Sequence, residues 1–128
     1  MIMYFTSIEQ SKKLIELGID PNTADMCYQY VKFDKENEIQ YFASLSLPKK
    51  NDIPCWSTGA LLNLLPKTII DKDDDHEYNL FIDMASEMPY YIWCSDCYLS
   101  DFPNDFLGGD LISNLIKCIE WLKEYKYI

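Results

Sequence analysis

A chain of 128 residues and 15.1 kDa has the length of one domain, and 48% hydrophobic residues with 15% aromatics exclude the disordered class. The formal net charge of −10 and a pI near 4.3 set up a field that repels phosphate backbones, anionic lipid headgroups and acidic substrates, which argues against direct nucleic-acid or membrane binding. All eleven basic residues are Lys, so the bidentate fork that favours specific recognition of phosphates, carboxylates and guanine edges is missing.

The first residues, MIMYFTSIEQSKK, place no basic region ahead of an apolar run, and no window approaches the roughly 18 apolar residues of a membrane span. The expectation is a soluble, cytoplasmic protein. Thr6 and Glu9 have the spacing of a capping box. With Ile8, Leu14, Ile15 and Leu17 forming an apolar side and Gly18 a stop, they predict a helix over 7–17. GIDPN then turns the chain, because Pro21 cannot extend a helix.

MCYQYVKF (26–33) and EIQYFASLSL (38–47) are rich in β-branched and aromatic residues and are separated by polar DKEN, which predicts a β-hairpin. PKKNDIP reads as a proline-bounded loop. Ser57 then caps a short helix, TGALLNLL, that ends at Pro66, with Leu61, Leu62, Leu64 and Leu65 to seat it. DKDDDHE (71–77) reads as a charged turn before a second strand pair, YNLFIDM (78–84) and PYYIWCSDCYL (89–99), about the break at SEMP. After the irregular FPNDFLGGD, Asp110 caps a last helix whose Leu111, Ile112, Leu115, Ile116, Ile119 and Leu122 recur with helical period, widened by Cys118 and Trp121.

The order α-β-β-α-β-β-α with short links predicts a single α+β domain over 1–128. Its expected form is two-layer, an antiparallel sheet of about four strands with helices packed on one face. With the segments TSIEQSKKLIELGIDPNTADM, PCWSTGALLNLLP and LIKCIEWLKEYKYI in that order, the chain resembles a family of small proteins of unassigned activity. That family is found in gut bacterial genomes and their prophages or mobile elements. The resemblance implies a context and no catalytic residues.

Five Cys stand at 27, 55, 94, 97 and 118, four of them inside apolar or aromatic stretches, and reduced buried thiols are the default. Cys94 and Cys97 have C-x-x-C spacing, yet no second such pair accompanies them to complete a zinc site, and no helix start follows to activate a redox thiol. On a continuous strand, residues three apart face opposite sides of the sheet, so only a tight turn at Ser95-Asp96 lets the two thiols share a site.

Asp71, Asp73 and Asp75 have the alternate spacing that opens a calcium loop. His76 and Ile82, however, occupy the places of its Gly and bidentate Glu. His76 is the sole imidazole, and no nucleophile elbow accompanies it. Gly108-Gly109 and GALLNLL lack the Lys and Gly spacing of a phosphate loop. No catalytic residue, cofactor or metal ligand is therefore assigned.

The aromatics Tyr28, Tyr30, Tyr41, Phe42, Tyr90, Tyr91, Trp93 and Tyr98 crowd the expected strands. Alternation then sends half of them to an outer face that a subunit of the same protein or another protein would cover. The leading expectation is a non-enzymatic interaction module with a protein partner or a homo-oligomer. An acidic decoy for a nucleic-acid-binding protein is one alternative, motivated by the charge. A small enzyme or metal protein using His76, the Asp71–Asp75 cluster or Cys94 and Cys97 is the other.

Overall fold

The structure, a computed structural model, describes residues 4–33, 38–70, 77–79 and 110–128; at 32–33, 38–42 and 77–79 it describes the backbone alone. Helices and small antiparallel sheets make it an α+β chain. Two compact units divide the chain, Met3–Leu62 and Asn63–Ile128 with Met1–Ile2. The charge divides unevenly between them: the first has six Lys against eight Asp and Glu, the second five against thirteen.

In the first unit, α1 spans Ile8–Glu16. Its cap is Ser7, one residue beyond the expected Thr6. Ser7 Oγ accepts Gln10 N at 3.1 Å and Gln10 Oε1 accepts Ser7 N at 2.9 Å, a complete capping box. Thr6 is drawn into the core instead, fully buried. The helix stops as expected at Gly18, whose φ of 87° suits the left-handed position. Ile19 N then reaches back to Leu14 O at 3.1 Å and Gly18 N to Ile15 O at 3.0 Å. A single 3-10 turn, Pro21–Thr23, follows, capped by Asp20.

The hairpin forms from β1, Met26–Phe33, and β2, Glu38–Ser44, with Cys27 opposite Ser44 and Phe33 opposite Glu38. The expected loop PKKNDIP contains a third strand, β3, Ile53–Cys55, which pairs antiparallel with Met26–Tyr28 on the other side of β1. Pro54 is compatible with this because strand backbones alternate in direction. Ile53 and Cys55 turn theirs toward β1, and Pro54 turns outward, where its missing N–H removes no ladder bond. The next outward residue, Trp56, is met by the segment before α1: Thr6 N donates to Trp56 O at 2.9 Å, and Phe5 bridges Ser57. α2, Thr58–Asn63, then starts under Ser57, whose Oγ accepts Ala60 N at 3.2 Å, and ends before the expected Leu65.

In the second unit, β4, Thr68–Ile70, pairs antiparallel with β5, Glu77–Asn79. β4 falls where the sequence predicts no element, and β5 begins at Glu77, one residue before the expected start at Tyr78. Among the described residues the strands therefore form one three-stranded sheet, β2-β1-β3, and one two-stranded sheet, rather than one sheet of about four. The rest of the expected 78–84 and 89–99 pair lies outside the described residues. α3, Leu111–Glu124, begins at the expected cap, where Asp110 Oδ1 accepts Ser113 N at 2.7 Å. Its periodic residues Ile112, Leu115, Ile116, Cys118, Ile119, Trp121 and Leu122 are all buried, as is Asn114. No helix among the described residues is long and apolar enough to cross a membrane.

Candidate functional site

Two clusters in the first unit gather chemically capable side chains. The inner one centres on Thr6. Its Oγ1 accepts Trp56 N at 3.1 Å and lies 2.7 Å from Ser11 Oγ. Its carbonyl accepts the Tyr28 hydroxyl at 2.8 Å and the Cys55 thiol at 3.3 Å. Trp56 is itself wholly buried and donates Nε1 to Thr23 Oγ1 at 2.9 Å, tying the 3-10 turn to the sheet. Burial is the main cause that raises the Cys55 thiol above its ordinary range, and burial, then the neighbouring Cys55, raises the Tyr28 phenol. A thiol held protonated, fully buried and donating to a carbonyl is a packed group rather than a nucleophile.

Ser57 lies beside this knot. Its N–H donates to Asp25 Oδ1 at 2.9 Å and its hydroxyl to Asp25 Oδ2, while its Oγ also accepts Ala60 N. Ser57 Oγ thus caps α2, and the Asp25 carboxylate holds the capping serine in place.

The outer cluster is the loop after β2. Asp52 ends the β3 pairing by substituting a side chain for a strand: Oδ1 accepts Tyr30 N and Oδ2 accepts Lys49 N, both at 2.9 Å. Those two amides, Tyr30 first, hold the Asp52 carboxyl below its ordinary range. The Cys27 thiol, 3.8 Å away, and the Lys49 charge add to this. Ser46 Oγ sits 3.5 Å from Cys27 Sγ and 3.0 Å from Ser44 Oγ. Asn51 makes the tight turn at φ 71°, a position that Asn tolerates.

With both ends of the loop fastened, its apolar residues project. Leu45 is 85% exposed and Leu47 70%. Leu47 and Pro48 also wall a cavity of about 280 Å³ with Pro21, Asn22 and Ala24. That volume is at the bottom of the ~300–1,000 Å³ range of small-molecule pockets, and four of the five lining residues are apolar. It suits one or two inserted side chains better than a cofactor.

The sequence-derived candidates fall elsewhere. His76, Asp71, Asp73, Asp75, Cys94 and Cys97 all lie outside the described residues, and so does the backbone at Ser95-Asp96. Cys27, Cys55 and Cys118 are free and buried, in line with the expected reduced thiols, and burial pushes Cys118 well above its ordinary range. No group of three or more His, Cys, Asp or Glu among the described residues is placed to hold a metal ion. Of the eight strand aromatics, Tyr28 and Tyr30 have described side chains. They share one face, with Gln29 exposed on the other.

The projecting leucines stand where the sequence predicts the end of the 38–47 strand, whereas β2 stops at Ser44. The L-S-L-P run before two Lys was the available signal, since Pro48 cannot continue a paired strand. Comparison of the chain with protein-family models, with curated proteins and with solved structures finds no match.

Proposed function

We propose that the chain is a non-enzymatic, cytoplasmic protein-interaction module of phage or mobile-element type, acting through a protein partner or as a homo-oligomer. The observation that supports it is the fastened loop Leu45–Pro48, which holds Leu45 and Leu47 out in water, Leu47 beside the hollow that it lines with Pro21, Asn22, Ala24 and Pro48. Water-exposed leucines at a rigid position contribute nothing to the fold and gain free energy when a partner covers them. The excess of acidic residues keeps nucleic acid and anionic membrane away from the same molecule. The finer architecture, helices gathered over one face of the antiparallel sheet in two layers, belongs to the same proposal.

Capture from a bacterial lysate tests it, with immobilised wild type beside a Leu45→Asp/Leu47→Asp variant, read by mass spectrometry, and light scattering on both proteins. The expected result is a partner, or the protein itself, retained by wild type and lost with the variant. A wild type that is monomeric and retains nothing the variant lacks contradicts the proposal. Stoichiometric metal in the purified protein would move the reading toward a metal site instead.

A further inference from the structure

We draw no further inference here: the strongest candidate, the exposed Leu45 and Leu47 of the loop after β2 with the hollow lined by Pro21, Asn22, Ala24, Leu47 and Pro48, carries nothing, because nothing in the structure shows what covers that face.

Discussion

Thr6→Val removes one hydroxyl oxygen from a fully buried position and puts a methyl group of similar size in its place. The lost oxygen accepts Trp56 N at 3.1 Å and lies 2.7 Å from Ser11 Oγ, so the change strands a buried backbone donor and a buried hydroxyl. An unsatisfied buried donor costs about 1–3 kcal/mol. The Ser11 hydroxyl can turn to a carbonyl of its own helix, so its share is smaller and the sum is about 2–4 kcal/mol. Thr6→Ser keeps the oxygen and loses one methyl group, about 1 kcal/mol.

Urea unfolding separates the two. With a slope of about 1.5 kcal/mol/M, Thr6→Val lowers the midpoint by roughly 2 M and Thr6→Ser by well under 1 M at unchanged slope. Hydrophobicity alone gives the reverse order, because Val is the more apolar replacement. A Thr6→Val protein within about 0.5 kcal/mol of wild type, or more stable than Thr6→Ser, would refute the assignment of Thr6 as the acceptor that joins Trp56 to the segment before α1.

The two helix ends make a matched pair of tests. α3 closes like α1, with Tyr127 N on Leu122 O at 2.8 Å and Lys126 N on Lys123 O at 3.2 Å, but Lys126 occupies the left-handed position at φ 61° where α1 has Gly18. Lys126→Gly is expected to stabilise by about 0.5–1 kcal/mol and Gly18→Ala to destabilise by about 1 kcal/mol, read from thermal midpoints. Asp52 gives a pH test. Its carboxyl is held low in the fold, so the stability it contributes is present above the unfolded value of about 3.9 and is lost as pH falls through the folded one. Asp52→Asn should flatten urea midpoints between about pH 5 and pH 3 relative to wild type, and an unchanged slope there would remove its role as the fastener of the loop. Cys55 and Cys118 should resist iodoacetamide in the native state and react on unfolding, as followed by peptide mass spectrometry. Leu45→Asp/Leu47→Asp should change stability by no more than about 0.5 kcal/mol, because both side chains are already in water.

Elements whose evidence is local were legible in the sequence. α3 carries its own cap at Asp110 and seven buried residues at helical period, and α1 announces its end with Gly18. Local evidence also explains the one-residue error at α1. Thr6-Ser7 offers two hydroxyls in a row, and burial beside Trp56, a residue 50 positions away, selects which one caps. β3 and β4 were not legible because three residues carry too little period to register, and β3 exists only through its pairing with β1. The outer cluster is a matter of tertiary structure. Nothing in the spacing of Cys27, Ser46 and Asp52 announces that they meet, and the leucines they hold out were assigned to a strand.

The most direct measurement on the loop is the concentration dependence of the backbone amide resonances. On dilution from about 1 mM to about 20 μM, across the range of a weak dimer, the amides of Asn22, Ala24, Leu45 and Leu47 are expected to shift together along a single binding curve, while Lys12 and Lys13 on the exposed side of α1 stay fixed. Shifts confined to other residues, or none at all over that range, contradict the proposal that the protein associates with itself through the Leu45–Pro48 loop.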